Sequence, residues 1–147
     1  MLGLNLRLGR PAPNFVFEFA PGRGLTLRKL VGRPVVLVFW KSSSKPSIET
    51  VRDLQKPTGK AGGQGPMVLA INDGEVPELA KRAAAENGLS ATVVADPERS
   101  LSLAYGVNIW PTIVFLDAFG LVRKIRYGRL AGENVESPSR GKAAASR

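Results

Sequence analysis

A run of six apolar residues, Val35 to Trp40, places the strongest limit on how this chain folds. The run is too short to cross a membrane, and it is rich in β-branched and aromatic residues. Such a run is typical of a buried strand in a largely parallel sheet. Apolar residues that recur at three-residue steps after Pro46 predict that a helix follows. A site is expected where this strand meets the helix, because free backbone N–H groups and the helix dipole converge at a helix N-terminus.

The composition narrows the chemistry that is open to the chain. Its 147 residues include no cysteine and no histidine. This excludes dithiol chemistry, a cysteine nucleophile and histidine-based acid–base catalysis, and it removes the usual ligands of structural zinc. We therefore expect no metal and no cofactor. The length fits a single domain with a substantial core.

Strand and helix patterns alternate along the rest of the chain. Short apolar runs predict strands, whereas apolar residues at helical steps predict helices. In chain order these are strand 67–72, a helix from Val76 to its stop at Asn87-Gly88, strand 92–95, a short helix after Asp96-Pro97, and hairpin strands 113–117 and 121–128. The last strand mixes charged and apolar residues, which is typical of a sheet edge. The order predicts an α/β fold whose sheet is covered on both faces.

The segment from Phe39 to Ser47 resembles the active-site segment of thioredoxin-like proteins, in the TlpA/ResA and AhpC/TSA branch. In these proteins a Phe-Trp-x-x-x-Cys-x-x-Cys motif ends the central strand and begins the first long helix. Aligned on Phe39-Trp40, the two cysteine positions fall on Ser44 and Ser47, so that Cys-x-Pro-Cys becomes Ser44-Lys45-Pro46-Ser47. The resemblance implies the frame of this family without either of its sulfurs.

A second segment, Tyr105-Gly106-Val107-Asn108-Ile109-Trp110-Pro111-Thr112, resembles the Tyr-Gly-Val-x-x-x-Pro-Thr segment that carries the cis-proline of the same proteins. The resemblance covers residues 8–128 and implies a thioredoxin-like three-layer sandwich, in which a central mixed β-sheet is flanked by helices. Residues 129–147 are polar and are predicted to form a flexible tail.

The resemblance also implies a groove between the serine turn and the proline loop. In the family, the residue before the cis-proline offers backbone groups to an extended substrate peptide. An extended peptide or a partner protein is therefore the expected occupant of the groove. The residues expected to line it are Trp40, Lys41, Ser44, Lys45, Pro46, Ser47, Trp110 and Pro111.

Serine cannot replace the chemistry that the cysteines of the family perform. It has no sulfur redox couple, and its hydroxyl stays protonated without a nearby base. Lys41 and Lys45 are normally charged and therefore poor bases, and Val38 occupies the strand position where many thioredoxins have a buried acid. We therefore predict that Ser44 caps the helix N-terminus, and we expect no special role for Ser47.

Three functions remain open at this level. The first is a redox-inactive peptide- or protein-binding module. The second is a thiol-disulfide oxidoreductase of cell redox homeostasis whose catalytic cysteines were replaced by Ser44 and Ser47. The third is a glutathione-binding enzyme in which the Ser44 hydroxyl stabilises the thiolate of the ligand, as a serine or tyrosine does in glutathione transferases.

Charge and targeting signals add little to these alternatives. The net charge of +9 is compatible with an anionic partner, but no recognised nucleic-acid-binding module accompanies it, and we predict no nucleic-acid partner. No stretch has the length and apolarity of a membrane span, and the N-terminus lacks the apolar core of a signal peptide. The sequence fits a cytoplasmic protein, or a periplasmic one whose leader has been removed, and it leaves the oligomeric state open.

Overall fold

The computed structural model describes residues 6–56 and 65–128. In chain order they form β1 (Val16–Ala20), β2 (Arg23–Thr26), a 3₁₀ turn (Leu27–Leu30), β3 (Val35–Trp40), α1 (Lys45–Leu54), β4 (Met67–Asp73), α2 (Pro77–Glu86), β5 (Thr92–Asp96), α3 (Ser100–Ala104), β6 (Thr112–Leu116) and β7 (Val122–Tyr127). None of the helices in these ranges has the length and apolarity that a membrane span needs. The predicted tail at 129–147 lies outside the described residues.

The strand predicted from the apolar run, β3, lies at the centre of a five-stranded sheet in the order β5-β4-β3-β6-β7. It pairs in parallel with β4 and antiparallel with β6. The final strand, β7, pairs with β6 and forms one edge of this sheet, as its charges predicted. A separate antiparallel hairpin joins β1 to β2. The mixed sheet with flanking helices confirms the predicted α/β, thioredoxin-like class.

All six residues of β3 are buried, because the strand contributes to an apolar cluster on each face of the sheet. Its odd-numbered residues join the cluster that contains Phe17 and Tyr105. Its even-numbered residues join the cluster that contains Ile48 of α1 and Ala83 and Ala84 of α2. Since successive side chains of a strand point to opposite faces, a strand covered on both sides has no solvent-facing position for a polar residue.

The directions of three strands bring the site together. Because β3 and β4 are parallel, their C-terminal ends lie side by side, with Trp40 opposite Asn72. β6 runs in the opposite direction and begins beside these ends, with Thr112 opposite Phe39. The turn from β3 into α1 and the loop before β6 therefore lie side by side.

Candidate functional site

The turn between β3 and α1 places Ser44 at the N-cap of the helix. Its backbone is extended (φ −109°, ψ 96°), and its Oγ accepts a hydrogen bond from the Ser47 N–H at 3.2 Å. Pro46 lies in the first turn, where the missing N–H of proline removes no helical hydrogen bond. A serine cap is worth about 1 kcal/mol. The predicted capping role of Ser44 is confirmed.

Ser47 has no exposed surface and holds the turn closed from inside. Its Oγ accepts a hydrogen bond from the Lys41 N–H at 3.1 Å. The single hydrogen of the same hydroxyl is donated to the Ser44 carbonyl at 2.7 Å, and the Lys41 carbonyl lies 3.2 Å away. These contacts satisfy backbone groups at both ends of the turn. The expectation that Ser47 has no special role is therefore wrong.

Glu75, in the loop after β4, holds the first half of the turn between β3 and α1 by hydrogen bonds. Its carboxylate accepts hydrogen bonds from the Ser42 N–H at 3.0 Å, from the Ser42 hydroxyl at 2.6 Å and from Asn72 Nδ2 at 2.8 Å. Burial raises the pKa of this carboxyl. These hydrogen bonds and the charge of Lys41 lower the pKa by more than burial raises it, so that the net shift is downward. Glu75 is therefore ionised at neutral pH and is engaged within the protein.

The loop before β6 forms the opposite side of the site. The Trp110–Pro111 peptide bond is cis, and Pro111 is buried. The Pro111 carbonyl accepts a hydrogen bond from the Gly128 N–H at 2.7 Å. The Ser44 Oγ lies 3.5 Å from the Trp110 carbonyl oxygen. This long contact shows that the loop lies directly against the serine turn.

The Trp110 side chain is held at two points. Its Nε1–H donates to Asp73 Oδ2 at 2.7 Å, and the Lys41 ammonium lies 4.4 Å from its ring centroid, within cation–π range. Asp73 has no exposed surface and pairs with Arg99 through Nε–Oδ1 at 2.7 Å and Nη2–Oδ2 at 3.1 Å. Arg99 Nη2 also donates to the Val107 carbonyl at 2.8 Å.

Asp73 stays ionised in spite of its burial. Burial raises the pKa of its carboxyl, but hydrogen bonds from Arg99 and Trp110 and the charge of Arg99 lower it by more. The hydrogen bond to Asp73 raises the pKa of the Arg99 guanidinium in turn. A buried charge that loses its partner is strongly destabilising. Because Trp110 donates to the same carboxylate, the hydrogen bond ties its side chain to this buried pair.

The structure separates the expected groove residues into two sets. Trp40 and Ser47 have no exposed surface, so the expectation that they line the groove is wrong. The Trp40 side chain lies in the cluster beneath α1, because it occupies an even-numbered position of β3. Pro111 is also buried, so it helps to position the loop before β6 but adds no surface to the groove. The partly or fully exposed members are Lys41, Ser44, Lys45, Pro46 and Trp110.

Sequence reasoning missed Asp73, Glu75 and Arg99. One signal was available for the two acids, since polar residues that follow parallel strands gather at the same edge of a sheet. No signal pointed to Arg99. Its backbone has φ +63°, in the left-handed region that a residue other than glycine rarely adopts. Only the surrounding tertiary structure places an arginine there.

The geometry gives neither serine the means to act as a nucleophile. The Ser44 Oγ contacts a backbone N–H and a backbone carbonyl, and the Ser47 Oγ contacts backbone groups. An activated serine needs a base within hydrogen-bond reach. Within residues 6–56 and 65–128, no group of three or more acidic residues could hold a metal ion. The two hydroxyls therefore serve as hydrogen-bonding groups within the protein.

Comparison with known protein families shows which family this chain belongs to. A sequence profile of the AhpC/TSA family matches residues 8–125. This chain belongs to the AhpC/TSA family. The thiol-disulfide oxidoreductase ResA of Halalkalibacterium halodurans is 31% identical over 130 residues, which are 88% of this chain and 74% of that protein. ResA of Bacillus subtilis is 30% identical over 122 residues, which are 83% and 68% of the two chains. The predicted TlpA/ResA branch is confirmed.

Solved structures agree with the thioredoxin-like fold of this AhpC/TSA protein. A Chlorobium tepidum protein assigned as a thiol:disulfide interchange protein DsbE matches with a TM-score of 0.80 and 26% identity, over 95% of this chain and 98% of that one. The thioredoxin domain of a thiol-disulfide oxidoreductase from Bacteroides vulgatus matches with a TM-score of 0.69 and 19% identity, over 86% and 91% of the chains, which supports the fold alone. These relatives are named for thiol–disulfide chemistry, whereas this AhpC/TSA protein has no cysteine.

Proposed function

We propose that this AhpC/TSA protein is a redox-inactive binding module that holds an extended segment of a partner protein in the groove between the Ser44–Ser47 turn and the Trp110–Pro111 loop. The observation that carries the proposal is the 3.5 Å approach of the Ser44 Oγ to the Trp110 carbonyl. The two sides of the groove remain in contact although both sulfur positions are serines. A scaffold that keeps its groove and lacks its chemistry retains the capacity to bind.

Redox inactivity follows from the side chains at the turn. Thiol–disulfide exchange needs a thiolate that attacks a disulfide and a second thiol that resolves the mixed disulfide. The chain has no cysteine to supply either one. The hydroxyls of Ser44 and Ser47 serve as the helix cap and the turn closure. No electron pair can therefore pass from a thiol of this chain to a disulfide.

The surface around the groove suits an extended backbone. Lys41, Ser44 and Trp110 are all partly exposed, and they come from two loops that rigid strands hold in place. An extended peptide gains main-chain hydrogen bonds at such a surface, while neighbouring side chains supply selectivity. Binding residues are commonly found on loops that a rigid scaffold positions in this way.

A titration followed by NMR tests the proposal. The probe is the insulin B chain with its cysteines alkylated by iodoacetamide, an extended polypeptide that carries no thiol. We expect the chemical-shift changes to centre on Lys41, Ser44 and Trp110. Trp110→Ala should weaken binding about tenfold, because aromatic anchors carry much of the energy of a binding interface.

Phe119→Ser is the matched control for that variant. Phe119 is 75% exposed and follows β6, so it lies at the end of the sheet away from the groove. Its replacement removes an exposed aromatic ring without touching either side of the groove, and the affinity for the probe should not change. Shift changes confined to this distant end, or equal losses of affinity in the two variants, would refute the proposal.

The oxidoreductase alternative is supported by the same contact between turn and loop, and restoring the sulfurs tests it. The Ser44→Cys/Ser47→Cys variant is compared with the unaltered chain in an insulin-reduction assay. We expect turnover in the double variant only, because the scaffold then regains a dithiol. Activity in neither chain would indicate that the groove itself has diverged. Cysteine codons at both positions of the natural gene would establish the oxidoreductase instead.

A further inference from the structure

We propose that the groove selects an acidic side chain of the bound peptide, which pairs with the Lys41 ammonium above Trp110, and that the buried Asp73–Arg99 pair positions this Lys41–Trp110 platform. The inference rests on the proposed function, because it concerns the occupant of the same groove. It assigns a ligand class, an extended peptide that carries a carboxylate. It also gives a positioning role to two residues that do not form the surface of the groove.

The charge around the groove is positive after its internal pairs are counted. At the groove, Lys41 and Lys45 contribute two positive charges, and the Glu75 carboxylate beside Lys41 contributes one negative charge. Asp73 and Arg99 are left out of this sum because they pair with each other beneath the groove. The salt bridges found in residues 6–56 and 65–128 use Lys56, Arg99 and Arg123 as their cations, whereas Lys41 acts on the Glu75 carboxylate through its charge. A carboxylate that arrives from solution therefore meets a positive potential, which favours its association.

Trp110 gives the Lys41 ammonium a defined place. The Nζ atom lies 4.4 Å from the ring centroid, on a face of the indole beside the groove. The ring face attracts the cation without using its N–H donors, which stay available to a carboxylate. An ammonium that is already ordered also loses less side-chain entropy on pairing than a mobile one. Lys41 is thus better placed for recognition than an ordinary surface lysine.

The orientation of the indole depends in turn on the Asp73–Arg99 pair. The hydrogen bond of 2.7 Å from Trp110 Nε1 to Asp73 Oδ2 sets the rotation of the ring. Arg99 holds the carboxylate with two hydrogen bonds and the Val107 carbonyl with a third. This connects the end of β4, the start of α3 and the loop before Pro111. The platform is therefore supported from three elements of the fold.

The backbone of Arg99 supports a functional interpretation of this pair. Its φ of +63° is unfavourable for a residue with a side chain. The side chain also crosses close to the backbone of Gly74, where a Cβ would lie 3.4 Å from Arg99 Cγ. Local strain persists only where the surrounding structure enforces it, and it concentrates at functional sites. The fold accepts this strain at the position that holds the carboxylate beneath Trp110.

The test uses the variant Ser44→Cys, whose introduced thiolate reports how rapidly peptides reach the groove. The probes are acetyl-Ala-Xaa-Cys-Xaa-Ala-amide peptides, with Glu, Gln or Lys as Xaa and the cysteine activated as a disulfide with thionitrobenzoate. The introduced thiolate attacks the peptide sulfur, a disulfide to the peptide forms, and thionitrobenzoate leaves with the electron pair and is measured by its absorbance. Each rate constant is expressed per thiolate. It is then divided by the rate constant for N-acetylcysteine with the same peptide, which gives a normalised rate for each peptide.

Acid selection predicts an order among the three probes. The Glu peptide should react about three- to fivefold faster than the Gln peptide, the range expected for a partly exposed ion pair, and the Lys peptide should react more slowly than either. Adding salt to about 0.5 M should reduce the Glu-to-Gln ratio by screening. Lys41→Gln in the same background should bring the ratio close to one. Replacing Lys41 also changes the reactivity of the introduced thiol. This change affects the Glu and Gln peptides equally, so it cancels in the Glu-to-Gln ratio.

Asp73→Asn tests the positioning role, with Asp117→Asn as its matched control. Asp117 also pairs with an arginine, Arg123, through Nε–Oδ2 at 2.7 Å, but it follows β6 at the far end of the sheet. We expect Asp73→Asn to lower the Glu-to-Gln ratio and to move the Trp110 indole N–H resonance, and Asp117→Asn to change neither. If Asp73→Asn does not fold, Arg99→Lys takes its place, since it keeps the charge and loses the bidentate geometry.

The outcomes separate this inference from the function on which it rests. Equal normalised rates for the three peptides, all faster than with N-acetylcysteine, would overturn acid selection and leave the groove as a binding site. No gain over N-acetylcysteine for any peptide would overturn the proposed function and acid selection together. A Glu-to-Gln ratio that is unchanged while the indole resonance moves would overturn the positioning role of Asp73.

Discussion

The two walls of the proposed groove are held by different interactions. The serine wall, residues 41–47, is held by hydrogen bonds: Ser44 caps α1, Ser47 closes the turn, and the Glu75 carboxylate accepts hydrogen bonds from Ser42. The tryptophan wall, residues 107–111, is held by the buried carboxylate of Asp73. A neutral hydrogen bond contributes about 1 kcal/mol, whereas breaking a buried ion pair costs about 3–5 kcal/mol. By this measure the serine wall is the less firmly held of the two, and the tryptophan wall is the more firmly held.

Removing the carboxylate from the tryptophan wall should have the largest effect. Asp73→Ala leaves Arg99 and the Trp110 indole N–H without their partner, and we expect the free energy of unfolding to fall by about 3 kcal/mol, the lower end of the range for buried pairs. The lower end applies because the Arg99 side chain is 35% exposed. Urea denaturation measures the loss. Asp117→Ala, at the more exposed pair with Arg123, should cost clearly less, and equal losses would contradict the difference between the pairs.

Lowering the pH weakens the tryptophan wall without removing a side chain. Burial raises the pKa of Asp73, but the hydrogen bonds and charge of its partners bring it below the ordinary value. Because the pKa is lower in the folded protein, the stability from Asp73 is fully present above about pH 4 and is lost as the pH falls through the folded-state pKa.

The difference in unfolding free energy between the unaltered chain and Asp73→Asn isolates this effect. Glu75 and Asp117 also have lowered pKa values, but they titrate in both chains. We expect the difference to shrink below about pH 4. Urea denaturation at a series of pH values measures it, and a difference that stays constant down to about pH 2 would contradict the assignment.

Among the serine hydroxyls of the serine wall, the buried one is expected to have the largest effect. Ser47→Ala removes the acceptor of the Lys41 N–H, and we expect a loss of about 2 kcal/mol in unfolding free energy, the usual cost of a buried donor left unpaired. Ser43→Ala is the matched control, because Ser43 lies in the same turn and is exposed. It should change the stability by less than about 0.5 kcal/mol. Similar losses in the two variants would show that burial of the hydroxyl does not matter.

The smallest effect is expected at the helix cap. Ser44→Ala should lower the unfolding free energy by about 1 kcal/mol, because the Ser47 N–H loses its side-chain acceptor. Ser44→Asp keeps an acceptor at the N-cap and adds a negative charge that suits the helix dipole. Thermal or urea unfolding should therefore show Ser44→Asp close to the unaltered chain. An alanine variant as stable as the unaltered chain would rule out capping as the role of Ser44.

Much of the scaffold could be predicted from local patterns. The apolar run of β3, the cap at Ser44 and the charged edge strand β7 each depend on residues close together in the chain, and the structure has all three. The interpretation of Trp40 and Ser47 as groove residues was wrong for one reason. A sequence motif shows only which residues are close along the chain. The periods of the strand and of the helix decide which of their side chains face the core.

The amino-acid sequence was enough to establish the α/β class, the order of the elements from β3 onward, the capped turn and the absence of any thiol, because these follow from short-range periodicity and from composition. The tertiary structure alone decided that Asp73, Arg99 and Trp110 meet, with Trp110 bonded to a residue 37 positions away. It also decided the left-handed backbone of Arg99. Such contacts arise only when strands and helices pack, because a buried carboxylate selects its partners from whatever the fold brings within hydrogen-bond reach.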